Sequence, residues 1–299
     1  MAIFTTTNTK FLKSLLASAC AALTLAACGG GGSVPAPEAS SGAGISSQSQ
    51  ASSGASAAPA TDSNVLPYGI QDASNFKLTF SDEFSNGFNT QVWNDRIWYE
   101  EGNATKNYTV EDGKLKIWPQ RDASGKFFNR TIDTDGKYYQ TYGFFEIEAK
   151  LPKGKGTWPA FWLFNHVGDR RPEMDVMEAY AGGEGWGVTD AAGVSRPTVY
   201  AATVWKGDYD GQQVGMKMLS PGVDLSEGFH RYAVKWEPNK QTYYFDGKEI
   251  LVLNTTFSDP MYMMLDLWFG SASGNPDDST PQGKSNSYEV NYIRAWQFK

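Results

Sequence analysis

Arg171-Pro-Glu-Met-Asp-Val-Met-Glu-Ala-Tyr180 places three carboxylates, Glu173, Asp175 and Glu178, inside six residues. Trp158 and Trp162 lie before it, and Trp186 and Trp205 after it. Acids packed this tightly repel one another, and a chain that needed only solubility would disperse them. What they can do depends on the backbone beneath them. In a helix, Pro172 suits the first position and Gly182-Gly183 the end. At ~100° per residue, however, Asp175 would stand about 200° and Glu178 about 140° from Glu173. In a regular strand Glu173, Asp175 and Met177 share one face and Glu178 points to the other. One extra residue, a β-bulge, reverses the parity and returns Glu178 to the face of the first two. Only the bulged strand makes all three converge. The competing reading is a solvated acidic turn.

Convergent carboxylates flanked by indole rings suit glycoside hydrolysis. One attacks the anomeric carbon, and another, kept protonated by its neighbours, donates to the leaving oxygen. Glu-x-Asp-x-x-Glu resembles the active-site signature of glycoside hydrolase family 16, in the bulged form of laminarinases, agarases and bacterial exopolysaccharide depolymerases. Gly156-Thr-Trp-Pro-Ala-Phe-Trp-Leu163 resembles the strand before that site, and Phe76-Lys-Leu-Thr-Phe-Ser-Asp-Glu-Phe84 the family's opening strand. The resemblance implies an all-β protein, a β-jelly-roll sandwich of two curved antiparallel sheets with a substrate cleft on the concave face. It implies Glu173 as nucleophile, Asp175 as its hydrogen-bonding neighbour and Glu178 as general acid/base, with no cofactor. Phe229 to Trp236 also matches a family strand, in which His230 is structural.

The chain departs from the family pattern at two places. Asp266-Leu267 stands where the family usually has Asn-Leu, and Gly270-Ser271 where it has Gly-Gly. Asp266 thus adds a fourth acid near the site. Asn291-Tyr292 replaces the Asp-Tyr of many relatives, which weakens the case for the structural calcium some members bind; no metal is expected.

Residues 1–28 read as a targeting segment. Lys10 and Lys13 precede a short Ala- and Leu-rich run, too short for a membrane span of ~20 residues. It ends in Leu25-Ala-Ala-Cys28, which resembles a bacterial lipobox, so Cys28 is the expected site of lipidation. The other cysteine, Cys20, also lies in this segment, so no disulfide or thiolate-metal site is expected in the mature domain. With Gly29 rather than Asp after Cys28, the lipoprotein resemblance implies the outer membrane. Residues 29–64 are dominated by Gly, Ser, Ala and Pro and nearly lack large apolar side chains, the composition of a flexible tether.

Residues 65–299 suit one β-sandwich domain. A formal net charge of −7 argues against nucleic acid as a partner. Tyr142–Leu151 and Tyr288–Trp296 alternate as half-buried strands do, Tyr232–Trp236 and Thr242–Lys248 read as two strands and an Asp246-Gly247 turn, and Asp112-Gly113 reads as a turn leading into a strand. Parity groups Trp158, Ala160 and Trp162 against Phe161 and Leu163. It likewise groups Tyr262, Met264, Asp266 and Trp268 against Met263, Leu265, Leu267 and Phe269. A sandwich needs one apolar face per sheet for its core, so the face bearing Asp266 and Trp268 should line a groove. Indoles there would stack on sugar rings. Trp158, Trp162, Trp205, Asp266 and Trp268 are the expected substrate contacts, with Trp186 less favoured.

The expected activity is that of a retaining endo-β-glycosidase, a monomer acting on β-1,3- or mixed-linked glucan, lipid-anchored at the cell envelope, or secreted if residues 1–28 are an ordinary secretory signal that contains a cysteine. Alternatives are a depolymerase of an acidic exopolysaccharide, suggested by Arg170 and Arg171, a transglycosylase, a catalytically inactive lectin, and calcium-dependent sugar binding by the acids. On a flat strand the outer acids would stand ~13 Å apart at Cα, and retention needs carboxyls about 5–5.5 Å apart. Curvature and inward-leaning side chains must close that gap.

Overall fold

A computed structural model describes residues 65–166, 172–182, 185, 199–206, 212–219 and 221–299. The leader with Cys28, the tether, Arg170, Arg171 and Trp186 lie outside the described residues, as does the side chain of Trp205.

Among the described residues fourteen strands follow in order. They are β1 (Phe76–Asp82), β2 (Tyr108–Glu111), β3 (Lys114–Ile117), β4 (Arg130–Asp133), β5 (Gly143–Lys150), β6 (Thr157–Phe164) and β7 (Glu173–Tyr180). Then come β8 (Val199–Lys206), β9 (Gln212–Leu219), β10 (His230–Glu237), β11 (Lys240–Phe245), β12 (Lys248–Leu253), β13 (Tyr262–Phe269) and β14 (Tyr288–Phe298). One sheet has eight strands in the order β12-β11-β10-β5-β14-β3-β2, with β1 also on β14; the other runs β4-β13-β6-β7-β8-β9. The pairings are antiparallel throughout. This is the jelly-roll sandwich the sequence implies.

The turns follow from their residues. Asp112-Gly113 joins β2 to β3 with φ of 54° and 66°, and Asp246-Gly247 joins β11 to β12 with 47° and 76°. Two successive positive φ values make the type I′ turn whose twist matches paired strands, and Asp-Gly tolerates them.

The core lies between the sheets. Phe145, Ile147, Val234, Trp236 and Ile293 meet Phe161, Leu163, Met174, Val176, Met177, Met263, Leu265 and Leu267 across it. The parity expected for β6 and β13 therefore holds. Their other faces carry Ala160, Trp162, Phe164, Tyr262 and Met264, with Trp268 packed against them and Ile97 laid on top. The expected groove is thus closed over part of its length, because the chain after Trp93 folds across it.

Arg130 fixes that crossing. Its guanidinium is buried and donates to Asn107 Oδ1 (2.8 Å) and to the carbonyls of Asp95 (2.9 Å) and Thr105 (2.7 Å). Charge-assisted bonds to three points of one loop hold it in a single arrangement. At the other sheet, Asn291 is the unpaired residue where β14 bulges against β5. Its amide donates to Glu148 Oε1 at 2.8 Å, and the other oxygen of Glu148 pairs with Arg231. His230 bonds Asp246 at 2.7 Å and stacks on Phe245.

Candidate active site

The acids stand on β7, and its register shows how they meet. Phe164 pairs with Glu173, Leu163 with Met174 and Trp162 with Asp175; then Phe161 pairs with Met177 and Ala160 with Glu178. Val176 is the extra residue. Against β8 the ladder likewise slips between Asp175 and Glu178. The cause is apolar: Val176 and Met177 are consecutive, and both point into the core with almost no exposure. A regular strand would bury Glu178 and expose Met177, forfeiting ~1.5–3 kcal/mol for the methionine besides stranding a charge. With the bulge, Glu173, Asp175 and Glu178 all share the outer face with Trp162 and Ala160.

Across the strands this face is continuous. Trp158 pairs with Trp268, Ala160 with Asp266, and Asp266 in turn with Thr131 of β4. Thr131, Asp266, Ala160 and Glu178 therefore form one row, and the small Ala160 leaves room between the two acids. Each indole is fixed by its N–H. Trp158 Nε1 donates to Glu178 Oε1 (3.0 Å), Trp162 Nε1 to Asp266 Oδ2 (2.8 Å) and Trp268 Nε1 to Thr131 Oγ1 (3.0 Å). Trp268 meets Trp158 and Trp162 edge to face, at 6.0 and 6.5 Å between centroids. Tyr180 holds the second oxygen of Glu178 at 3.3 Å.

The family model for "Glycosyl hydrolases family 16" matches residues 84–294. The chain belongs to glycoside hydrolase family 16. Over 75% of its length it is 29% identical to the endo-1,3-1,4-beta-glycanase EglC of Rhizobium meliloti, covering 52% of that protein. It is 27% identical over 73% of its length to a glucan endo-1,3-beta-glucosidase of Cryptopygus antarcticus, covering 91% of it. The catalytic domain of an endo-1,3-beta-glucanase (laminarinase) from Thermotoga petrophila superposes with a TM-score of 0.59 at 26% identity, covering 75% of this chain and 98% of that one. The chain spans about half the length of the Rhizobium relatives it matches.

Within this family 16 site, burial dominates the electrostatics. It raises the carboxyls of both Glu173 and Glu178 above the ordinary glutamate range. Repulsion from Glu178 pushes Glu173 further, Asp175 pulls it back through a hydrogen bond, and Asp266 adds to the push. Trp158 and Tyr180 oppose burial at Glu178 by donating to its charged form. Carboxyls that repel in this way share protons as a pair. Asp266 is pushed up to about 8 by burial, against the pull of Thr131 and Trp162, and Asp133 to about 6, also by burial.

The structure brings Trp158, Trp162, Asp266 and Trp268 together around the three acids, but at different depths. Trp158 and Trp268 are half-buried, Trp162 is 9% exposed and Asp266 3%. Trp205 lies opposite Glu173 on β8. Tyr180 and Thr131 also belong to the site, through their bonds to Glu178 and Trp268. Tyr180 follows Glu178 by two residues on the same face, a parity signal that was there to use; β4, buried at all four positions, gave no alternation to mark Thr131.

Proposed function

We propose that this chain is a retaining endo-β-glycosidase that hydrolyses β-1,3- or mixed-linked glucan. The observation that carries it is the bulge at Val176, which sets Glu173, Asp175 and Glu178 on one face among indoles locked by their own N–H bonds. Two-carboxylate chemistry needs one acid charged and one protonated at the same pH, and a mutually repelling buried pair supplies that. Burial raises both, so the roles follow from the order of the motif.

The Glu173 carboxylate attacks the anomeric carbon as Glu178 gives its proton to the leaving glycosidic oxygen, freeing one end of the polymer. The sugar is now an ester of Glu173. Glu178, ionised, takes a proton from water; the oxygen of that water attacks the anomeric carbon, Glu173 departs as carboxylate and Glu178 is again protonated. Asp175 bonds to Glu173 and steadies it between these steps. Trp158 and Trp268 offer ring faces to the apolar side of the sugars. The names of the relatives, a 1,3-1,4-glycanase and two 1,3-glucanases, support the linkage.

Laminarin, mixed-linkage glucan, agarose and an acidic bacterial exopolysaccharide, incubated with purified protein, test this reading. A fast fall in viscosity of either glucan, with the β-anomer appearing first by NMR, supports it; inertness towards every β-linked polymer ends it. Viscosity loss on the acidic polymer alone, abolished by Arg170→Ala with Arg171→Ala, supports the exopolysaccharide reading instead. From Leu25 to Cys28 and the tether we infer that the enzyme is held by lipid at the cell envelope, where it meets long polymers.

A further inference from the structure

Tyr180 closes β7 and is fully buried, although it stands on the outer face with the acids. Ala160 pairs with Glu178, and Trp158 and Tyr180 each lie two residues further along the same two strands, on the same face. Glu178 is therefore gripped by two side chains, one from each strand. Trp158 Nε1 donates to Oε1 at 3.0 Å and the Tyr180 hydroxyl to Oε2 at 3.3 Å. The end of the strand is fixed in turn. Gly182 N donates to Ser273 Oγ at 2.9 Å and Gly156 N to the Ser273 carbonyl at 2.7 Å. A Cβ on Gly182 would stand 1.9 Å from that carbonyl oxygen, so the chain passes Ser273 only as glycine. A hydroxyl held in this way is aimed before substrate arrives.

The two donors are not equivalent. An indole N–H can only donate, so Oε1 accepts whether Glu178 is charged or neutral, and the proton of the neutral acid belongs on Oε2. A phenol both donates and accepts, so Tyr180 fits Oε2 in either state. Burial, with the charges of Glu178 and Asp175, raises the Tyr180 phenol well above its ordinary value, so it keeps its own proton while Glu178 gains and loses one. The titratable groups facing Glu178 among the described residues are Glu173 and Asp175 on β7, Asp266 on β13 and Tyr180 itself. A hydrogen bond to a carboxylate is stronger than one to a carboxylic acid. As the proton leaves Oε2 for the glycosidic oxygen, charge grows on Oε2 and the Tyr180 bond tightens, which lowers the barrier to cleavage. In the second step Glu178 starts charged and takes a proton from water. The same bond then weakens as the reaction proceeds, and Glu178 is the poorer base for it.

We propose that Tyr180 is a positioning residue for Glu178: it keeps the acid's proton on Oε2 and donates to that oxygen as the proton departs, favouring formation of the sugar ester on Glu173 and restraining its hydrolysis. The proposal rests on the glycosidase reading above and adds to it opposite effects of one hydroxyl on the two steps.

Tyr180→Phe keeps the ring and removes the hydroxyl. On glucan, whose leaving oxygen needs a proton, kcat/KM should fall about three- to tenfold, the worth of one hydrogen bond. On an activated aryl β-glycoside, whose leaving group needs none, kcat/KM should stay at the parent's value, and kcat, set there by hydrolysis of the ester, should equal or exceed it. The alkaline limb of kcat/KM on glucan should move up, because Glu178 loses a donor to its charged form. Fluorotyrosine at position 180 is a stronger donor of the same shape; it should move that limb down, and it decides the matter if Tyr180→Phe does not fold. Equal losses on glucan and aryl glycoside, a lower kcat on the aryl glycoside, or a limb that stays in place overturn the assignment. Carbon-13 NMR of the Glu178 carboxyl reads the bond without turnover: its titration should move up in Tyr180→Phe, and no movement overturns the proposal as well. A parent that cleaves neither polymer nor aryl glycoside, with that titration still moving, defeats the glycosidase reading alone.

Discussion

Trp158 donates its indole N–H to Glu178 Oε1 at 3.0 Å, so the strand before the acids clamps the last of them. The two residues are twenty positions apart and belong to paired strands, β6 and β7. The bond favours the charged form of Glu178. Trp158→Phe keeps a ring and removes the donor, so the Glu178 pKa should rise. A general acid with a higher pKa stays protonated to higher pH. The alkaline limb of kcat/KM is therefore expected to move up, by as much as about one pH unit. A downward shift would show that the indole acts on Glu178 in some other way.

Glu173→Gln and Glu178→Gln should each lower turnover by orders of magnitude while circular dichroism stays native, and Asp175→Asn should cost less yet remain severe. With an activated substrate, azide should rescue Glu178→Ala and give a β-glycosyl azide, whereas Glu173→Ala should give the α-azide. Reversed products would exchange the two roles. Ordinary turnover by both Gln variants would remove the site altogether.

Deleting Val176 tests the bulge itself. Without the extra residue, either Glu178 turns into the core or the downstream half of β7 slips. Burying an unpaired carboxylate costs several kcal/mol, so the deletion should lower the urea midpoint sharply and abolish activity. Val176→Ala, which keeps the register and loses only packing, should cost about 1–3 kcal/mol and retain activity where the protein is folded. An active, stable deletion variant would mean that convergence of the acids does not depend on the bulge.

How much of this could be read beforehand follows from what kind of signal each residue left. The bulge could be read because only a strand with an extra residue brings Glu173, Asp175 and Glu178 to one face; that Val176 is the extra residue, with Met177 buried beside it, comes from the register. The parity of β6 and β13 was equally legible, since Phe161 and Leu163 differ so plainly from the Trp residues beside them. Ile97 was not. Its position over Trp162 and Tyr262 depends on Arg130, a cation buried through carbonyls distant in the chain, and nothing local in Asn94 to Tyr99 announces such a fold-back. Trp162 was expected in an open cleft for the same reason, and the Ile97 loop leaves it only 9% exposed.

The anchoring proposal is independent of all this and rests on Leu25-Ala-Ala-Cys28. In a bacterium that processes lipoproteins, Cys28→Ser should move the protein from the membrane fraction to the soluble one, with its specific activity on soluble polymer unchanged. Persistence in the membrane fraction would sink it.

Asp266 makes the most distinctive prediction, because the family resemblance leads one to expect Asn there. Burial raises its carboxyl from 3.8 to about 8, so the folded chain holds a proton there that the unfolded chain gives up near pH 4. Between those values the folded state binds more protons, and stability falls as pH rises. Asp266→Asn keeps an oxygen to accept the Trp162 N–H (2.8 Å in the parent) and removes the titration. The variant should match the parent in urea unfolding near pH 4. It should then gain on the parent steadily up to about pH 8, by a few kcal/mol at most. Removing a neighbouring negative charge at high pH should also lower the Glu173 pKa there, since Asp266 contributes to raising it. A stability difference that is the same at pH 4.5 and pH 8 would mean that Asp266 titrates normally and that burial does not control its charge.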